Sequence, residues 1–465
     1  MEYSGKNVSV VGLARSGMAC AERLAAEGAK VSVYDMCSFN DKADEIIGLM
    51  NKGVTVYCRS NDIDMANTDL IVTSPGIPPA APFFAEADRL GIEVISEIEL
   101  AYRLSPCPIL AVTGTNGKTT TTVMAGKILK EAGLDYFIGG NVAGYKPSAA
   151  CRGREGLTLT ECVGKAEKGS VIVCEVSTFQ LERCTTFAPE AGALLNVGTD
   201  HLDRHGTREN YAALKAKLFA FQTEDDIAVL NADDPFVSSL ADKVKSSVFM
   251  FSLQGPVERG CWLENGKIMF RDGGEAREAL DASILKVPGK HNAANAMAAF
   301  LLTRKYAEKG AEKALSGFRG VSHRLETVDE INGVTYVNNS MCTNVAAAVS
   351  SVNALETGQV LICGGKDKGS DFAPFARAVK EKCRFAVVIG RDKGKILEAF
   401  GKEGYTNCCG AETLKEAVLL ASEKALKGDS VVLTPGCASF DMFSSFEDRG
   451  NRFTEIVKEM SGKHV

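Results

Sequence analysis

The sequence predicts an α/β protein of three domains, each built on a largely parallel sheet, and three observations carry that expectation. The chain has 465 residues, more than one hydrophobic core usually serves, and a prior of about 150 residues per domain gives three. Twice, at residues 7–17 and 109–119, an apolar strand runs into a glycine turn and then a helix. From residue 321 onward, apolar strand candidates alternate with helical segments, the pattern of a doubly wound sheet. The expected boundaries are 1–104, 105–320 and 321–465. The first and third domains are expected to be Rossmann-like and the central one a P-loop ATPase-type domain.

Composition narrows the function classes. At 45% hydrophobic and 24% charged residues the chain is an ordinary globular protein. A formal charge of −6 gives no broad basic surface for nucleic acid, so small anions must be met by local sites. No apolar run reaches the roughly 18 residues that span a bilayer, and the N-terminus lacks a basic stretch followed by a long apolar one. A cytoplasmic monomer without membrane insertion is the expectation. The 15 cysteines are scattered, several in strand-like runs such as Ile172-Val173-Cys174, and no C-x-x-C pair occurs. They read as reduced, mostly buried small hydrophobes and not as a zinc site.

In the first region Asn7-Val8-Ser9-Val10-Val11 leads into Gly12-Leu13-Ala14-Arg15-Ser16-Gly17, then an amphipathic helix to about residue 27 and a strand over 30–34 ending at Asp35. This is the first βαβ unit of a dinucleotide-type domain, with an acid placed to meet a ribose or a base. Ala14 stands where the fingerprint wants its middle glycine. Its methyl group would crowd a pyrophosphate, which argues against a redox cofactor. Leu70-Ile71-Val72 then ends in the rigid turn Thr73-Ser74-Pro75-Gly76-Ile77-Pro78, and Glu93-Val94-Ile95 precedes a helix start at Ser96-Glu97-Ile98-Glu99-Leu100. Pro106 and Pro108 mark a linker.

The second region opens with Ile109-Leu110-Ala111-Val112-Thr113-Gly114-Thr115-Asn116-Gly117-Lys118-Thr119-Thr120. Two glycines let backbone N–H groups converge on an anion, the new helix presents its positive end, Lys118 supplies a charge, and Thr119 offers a hydroxyl to magnesium. The strict phosphate-loop pattern wants glycine where this chain has Val112. Gly139-Gly140-Asn141-Val142 follows, then a glycine- and charge-rich insert at 144–169 that reads as surface without chemistry. Glu175, at the end of the apolar run Val171-Ile172-Val173-Cys174, is placed to hold magnesium; alone it could equally be a solvated strand-end acid. Gly198-Thr199-Asp200-His201-Leu202-Asp203-Arg204-His205 carries two histidines at i, i+4 spacing, but no third soft ligand, so hard-cation and phosphate chemistry by Asp200 and His201 is favoured over a zinc site. A helix is expected over 211–221, on which Lys215 and Lys217 each read as solvated lysines. Pro288-Gly289-Lys290-His291-Asn292-Ala293-Ala294-Asn295 opens an alanine-rich helix.

In the third region the strand candidates at 334–337, 360–363, 385–389 and 430–433 each end in a polar or glycine loop: Asn338-Asn339-Ser340-Met341-Cys342-Thr343-Asn344, Gly364-Gly365-Lys366-Asp367-Lys368-Gly369-Ser370-Asp371, and Thr434-Pro435-Gly436-Cys437-Ala438-Ser439-Phe440-Asp441. Such loops, beyond the carboxyl ends of parallel strands, are where these sheets bind ligands.

By these motifs the chain resembles the ATP-dependent Mur ligases of bacterial cell-wall synthesis. Gly114-Thr115-Asn116-Gly117-Lys118-Thr119 is that family's own phosphate loop, which accounts for Val112. Glu175-Val176-Ser177-Thr178-Phe179-Gln180-Leu181, the 200–205 stretch, His291-Asn292 with Asn295, and His323-Arg324-Leu325-Glu326 follow in family order along the whole chain. The 12–17 turn, Ser74-Pro75-Gly76-Ile77-Pro78 and the tail from Pro435 to Gly450 look like the branch that adds D-glutamate, and no Asp-Asn-Pro-Arg type signature of the diaminopimelate or lysine branch is present.

The resemblance implies a ligase that joins D-glutamate to UDP-N-acetylmuramoyl-L-alanine through an acyl phosphate, using ATP and two magnesium ions. It implies a UDP-substrate domain, a central ATP domain and a C-terminal amino-acid domain. Gly114, Thr115, Asn116, Gly117, Lys118, Thr119, Thr120, Asn292, Asn295, Arg324 and Asn339 would bind ATP. Thr119, Glu175 and a carbamylated Lys217 would hold the metal ions, with Lys118, Glu175, His201 and Lys217 as the catalytic set. Arg15, Ser16, Asp35, Ser74, Pro75, Gly76 and Asn141 would hold the UDP substrate, and Thr343, Lys368, Ser439, Phe440 and Phe446 the D-glutamate.

One departure stands out: Asn339-Ser340-Met341 replaces the family's Asp-Ser-Lys. The ATP site then loses one charge of each sign, and the expectation is an active ligase with weaker ATP binding. The alternatives are a related ligase using another amino acid and a catalytically weakened protein that binds UDP-muramyl precursors.

Overall fold

Short, wholly apolar runs rich in Val and Ile are what strands covered on both faces require, and in this chain they become the inner strands of three sheets. The computed structural model describes residues 3–142, 145, 151, 153–198, 201–287, 289–307, 310–355, 358–367 and 369–462. The first sheet holds β1 (Asn7–Val11), β2 (Lys30–Asp35), β3 (Thr55–Cys58), β4 (Leu70–Thr73) and β5 (Glu93–Ser96). Its order is β3-β2-β1-β4-β5 with every pair parallel, the half-Rossmann arrangement the first region predicts.

The second sheet holds β6 (Ile109–Thr113), β7 (Tyr136–Gly140), β8 (Glu155–Leu157), β9 (Val171–Glu175), β10 (Ala191–Leu194), β11 (Ile227–Asn231), β12 (Ser247–Ser252), β13 (Arg259–Glu264), β14 (Lys267–Asp272) and β15 (Arg277–Asp281). The order is β15-β14-β13-β12-β11-β10-β6-β9-β7-β8. All neighbours from β13 to β8 are parallel, and only β14 and β15 run antiparallel as an edge meander. Strand β6 lies between β10 and β9, with Val112 fully buried and in register with Ala193 and Glu175. Position 112 is therefore strand interior, where a Cβ packs.

The third sheet holds β16 (Glu326–Ile331), β17 (Val334–Asn338), β18 (Gln359–Gly364), β19 (Cys383–Ile389), β20 (Cys408–Gly410) and β21 (Ser430–Leu433), ordered β16-β17-β21-β18-β19-β20. The four strands expected there are β17, β18, β19 and β21. Strand β16, whose Glu326-Thr327-Val328-Asp329 alternation is mostly polar, pairs antiparallel at the edge.

Two compact units result: Met1–Ala282 with Ala293–Leu315, and Ser283–Asn292 with Ser316–Val465. The first thus contains two sheets and has no division near residue 105. The reason lies in the helix Glu97–Arg103 and in the segment expected to be a bare surface insert. That expectation is corrected: the described part of 144–169 includes β8 and the helix Leu159–Lys165, with a Thr158/Glu161 capping box and fully buried Leu159 and Cys162. Two turns of helix are too short to reveal a period in sequence. The helix packs against Arg15–Ala26 and Glu97–Arg103.

Carboxylates stitch this joint. Glu97, buried, accepts from the Thr160 N–H and hydroxyl at 2.8 Å each. Glu99 accepts the backbone N–H groups of Thr185, Thr186 and Phe187 at 3.1, 3.1 and 2.9 Å, and pairs with Arg103 at 3.0 Å. Burial pushes both carboxyls up; at Glu99 the Thr186 bonds and their neighbours outweigh it and hold the group below its usual value, while at Glu97 burial prevails.

Candidate functional site

Two glycine turns stand at carboxyl ends of central strands. After β1, the Gly12 N–H donates to Tyr34 O at 2.8 Å, and a Cβ at Gly17 would sit 1.8 Å from Gly12 O, so the helix Arg15–Ala26 starts directly on the turn. Asp35 closes this turn: its carboxylate accepts from Leu13 N at 2.5 Å and Cys37 N at 2.7 Å, while Lys42 Nζ donates to Leu13 O. Burial raises the Asp35 pKa, and the Leu13 and Cys37 bonds more than reverse it to a net lowering. Ser74 reaches the same turn, with Oγ 3.4 Å from Gly12 O. Asp35, Ser74 and the 12–17 turn are therefore brought together. Arg15 is not turned to them: its Nη2 pairs with Glu161 at 2.8 Å.

The second turn follows β6. Gly114 and Gly117 have φ of 152° and 84°, and a Cβ at Gly117 would lie 2.4 Å from Asn295 Oδ1, so glycine is required on both counts. The helix Lys118–Glu131 starts there, and its first amides have no acceptor within the helix. Thr119 Oγ1 donates to Glu175 Oε2 at 2.6 Å, and both side chains are buried. Asn141 N donates to Glu175 O at 2.8 Å. Lys118 Nζ is folded onto Thr115 O at 3.0 Å. A buried carboxylate and hydroxyl beside an amide-lined turn form a hard-oxygen donor set that fits magnesium with nucleotide phosphates.

This loop is held from outside by residues the sequence reading did not single out. Asn196 accepts from Asn116 N at 2.8 Å, donates to Asn116 O at 3.1 Å, and offers its own carbonyl to Thr115 N at 3.0 Å. Thr115 Oγ1 accepts from Gly198 N at 2.9 Å and lies 3.3 Å from the Tyr211 hydroxyl.

The two lysines of the following helix require a correction. Lys215 is not solvated: it is 2% exposed, donates from Nζ to Gly114 O at 2.8 Å, and sits 4.4 Å from the Tyr211 ring centroid. Lys217, expected among the metal ligands, instead donates to Glu182 O at 3.0 Å. The helix covers Arg208–Ala216 and a 3-10 turn covers Lys217–Phe219. Two residues on a helix differ by about 200°, so the two side chains leave opposite faces. The sequence signal that favours position 215 is its i, i+4 spacing from Tyr211.

The two histidines diverge. His201 is exposed, has φ 52°, and lies against Phe179 with ring centroids 4.8 Å apart and planes tilted by 55°. His205 is buried, 3.0 Å from Thr178 Oγ1 through Nε2, and burial lowers its pKa. Among the described residues no group of three or more His, Cys, Asp or Glu could hold a metal ion. Asp200 lies outside the described residues.

Within the second unit, three loops gather at the carboxyl ends of neighbouring β17, β21 and β18. Lys366 and Ala438 exchange backbone bonds at 2.9 and 3.1 Å, tying two of them. Ser439 is buried and Phe440 is 68% exposed, whereas Lys368 lies outside the described residues. Thr343 is half-buried, and Phe446 O accepts from Ser340 Oγ at 2.7 Å.

Asn339 is fully engaged: Nδ2 donates to Ser351 and Thr434 hydroxyls at 2.9 and 3.3 Å, and Oδ1 accepts from Leu325 N at 3.2 Å. Met341 Sδ receives Arg324 Nη2 at 3.6 Å. Arg449, 1% exposed and missed from sequence, pins the same loops by donating to Ser340 Oγ, Ser340 O and Cys437 O. Asn292 N donates to Gly289 O at 2.9 Å in this unit, and Asn295 accepts from Thr121 Oγ1 at 3.3 Å in the other.

A phosphate loop on a parallel sheet with a paired Thr119–Glu175, flanked in sequence by two further α/β sheets, defines a multidomain α/β protein with a phosphate-binding loop. The chain belongs to the Mur ligase family. Three family profiles match it: a Mur ligase MurD-like N-terminal domain over residues 6–96, a Mur ligase middle domain over 112–303, and a Mur ligase glutamate ligase domain over 323–437. A UDP-N-acetylmuramoylalanine–D-glutamate ligase of Pelotomaculum thermopropionicum is 43% identical over 459 residues, covering 98% of each chain. The protein of the same name from Koribacter versatilis is 42% identical, covering 99% of each. Among solved structures, the MurF ligase of Thermotoga maritima in complex with ADP matches with TM-score 0.57 at 16% identity, covering 92% of this chain and 94% of that one. The UDP-N-acetylmuramate-alanine ligase MurC of Thermotoga maritima matches with TM-score 0.56 at 19% identity, covering 98% and 100%. Among the described residues no helix is long and apolar enough to cross a membrane.

Proposed function

We propose that the protein joins D-glutamate to UDP-N-acetylmuramoyl-L-alanine at the expense of ATP, as a cytoplasmic monomer making a peptidoglycan precursor. Residues 1–104 would bind the UDP substrate, 105–320 ATP, and 321–465 the amino acid. The observation that carries this reading is the Thr119–Glu175 pair at 2.6 Å beside the Gly114–Gly117 turn, in a chain over 40% identical along its length to two proteins named for that reaction.

The substrate carboxylate attacks the γ-phosphorus of ATP, ADP leaves, and an acyl phosphate remains; the D-glutamate amine then attacks its carbonyl carbon and phosphate departs. The chain's part is positioning and charge neutralisation. The first amides of Lys118–Glu131 and the Lys118 ammonium meet the phosphates. Two magnesium ions, when bound, would neutralise charge developing on the transferred phosphoryl group, and Thr119 and Glu175 are the residues suited to hold the first.

We move the carbamylated-lysine role, expected at Lys217, to Lys215; its burial and its 2.8 Å bond to Gly114 O support the change. Asn141 and His201 would contact the reacting groups, and Thr343, Lys368, Ser439, Phe440 and Phe446 the D-glutamate. Asp35, Ser74, Pro75, Gly76 and Ser16 would hold the uridine end, with Arg15 reaching it only by leaving Glu161.

Phosphate release from ATP, magnesium and UDP-N-acetylmuramoyl-L-alanine, measured across a panel of amino acids, tests the proposal. Release with D-glutamate alone is expected. No release with any acceptor would remove the ligase reading, and release with a different amino acid would change the substrate.

A further inference from the structure

Lys217 leaves the helix face opposite the phosphate loop, and what it faces is a cavity of about 780 Å3. Its lining includes Pro79 and Phe84, the latter from the helix Pro82–Leu90, together with Leu214, Lys217, Glu182, Arg183 and Arg204. A volume in this range is that of small-molecule sites, which pair apolar walls with a few placed polar groups.

The charges are unequal. Arg204 is already engaged, donating to Glu182 at 2.9 and 2.7 Å and to Ile77 O at 3.0 Å. Lys217 uses one of its N–H groups on Glu182 O. Arg183 lies over the Phe84 ring, its guanidinium carbon 4.3 Å from the centroid. Among the described residues neither Lys217 nor Arg183 is paired with a carboxylate, and both are half-buried. Three cations thus line the cavity against one acid, and two of them keep donors for a ligand. Cations that line a cavity with donors to spare can form charge-assisted bonds to an anionic group.

We propose that this cavity binds a small amphipathic anion, an apolar ring system carrying one carboxylate, phosphate or sulfonate group. The ring packs against Pro79 and Leu214, and the anion meets Lys217 and Arg183. The bound molecule is separate from the phosphate-loop site yet coupled to it, because Lys217 follows by two residues the Lys215 that holds Gly114 O.

The probe is 8-anilinonaphthalene-1-sulfonate, followed by fluorescence on the full-length folded protein. One saturable site is expected, weakened about tenfold or more in Arg183→Glu and in Lys217→Glu, as loss of a charge-assisted bond would give. It should also be blocked in Ala213→Trp, which fills the cavity from an exposed position and leaves every charge in place. ATP and UDP-N-acetylmuramoyl-L-alanine at saturation should not displace the probe, and the probe should shift the KM for ATP. Binding that survives all three substitutions overturns the site, and so does displacement by either substrate. Binding without a shift in ATP KM overturns the coupling.

Discussion

The two glycine turns, after β1 and after β6, start from the same physics and end differently. In both, a buried parallel strand delivers the chain to a glycine that takes a positive φ and a helix begins within six residues. The first turn is closed by its own neighbours, for the Leu13 amide is taken by Asp35 and the Leu13 carbonyl by Lys42. The second is held from a distance: Lys215 takes Gly114 O, and Asn196 takes the Thr115 N–H and both the N–H and the carbonyl of Asn116. A loop held by distant residues on its near side leaves the first amides of Lys118–Glu131, which have no acceptor within the helix, directed at an anion. Under the proposed function, the contrast would separate a turn that recognises a substrate from one that carries phosphoryl chemistry.

The sharpest way to break that contrast is to remove the braces. Lys215→Ala should lower turnover by about 100-fold or more, and Lys217→Ala by no more than about 3-fold, with phosphate release as the readout. Equal losses would return Lys217 to the site. Next in size, Asn196→Ala should raise the KM for ATP about tenfold with the KM for the UDP substrate unchanged, and Asp35→Ala should do the reverse, each being roughly the loss of one or two hydrogen bonds. If both variants moved the same KM, the turns would not be functionally distinct.

Much of this was legible from sequence because the signals are local. Gly114 to Thr119, Glu175 and the 12–17 turn lie in strand-turn-helix context that periodicity and glycine spacing reveal. Lys215 was not legible, because nothing in Ala213-Leu214-Lys215-Ala216-Lys217 says which lysine the helix turns inward; that depends on which face meets the phosphate loop, where Lys215 and Tyr211 reach Gly114 and Thr115. The joint between the first two sheets was hidden for a similar reason. Nothing local marks Glu99, because the Thr185-Thr186-Phe187 amides that donate to it lie 86 residues or more away in sequence. Asn339 and Met341 first looked like two lost charges, yet each is engaged, one by Ser351, Thr434 and Leu325 and the other by Arg324.

Two smaller effects sharpen the picture. Burial lowers the His205 pKa, so a neutral ring bonded to Thr178 is favoured in the folded state. A folded value below the unfolded one means stability is fully present above the ordinary histidine value of about 6.5 and is lost as pH falls through it. His205→Asn should flatten the decline of Tm between about pH 7 and pH 5, and an unchanged slope would remove His205 from the account. Smallest, Asn339→Asp with Met341→Lys should lower the KM for ATP by about 3-fold, whereas Met341→Lys alone should raise it by setting an ammonium against Arg324. A KM unchanged or worsened in the double variant would show that those positions no longer face nucleotide.

The measurement that bears most directly on the phosphoryl-transfer turn is chemical trapping of its product before the second substrate arrives. The protein is mixed with ATP, magnesium and UDP-N-acetylmuramoyl-L-alanine, without D-glutamate, and quenched with borohydride, which reduces an acyl phosphate to an alcohol. The predicted result is an ATP-dependent alcohol on the alanyl carbon, abolished in Lys215→Ala and retained in Lys217→Ala. No alcohol from the wild-type protein, under conditions where adding D-glutamate does release phosphate, would contradict it.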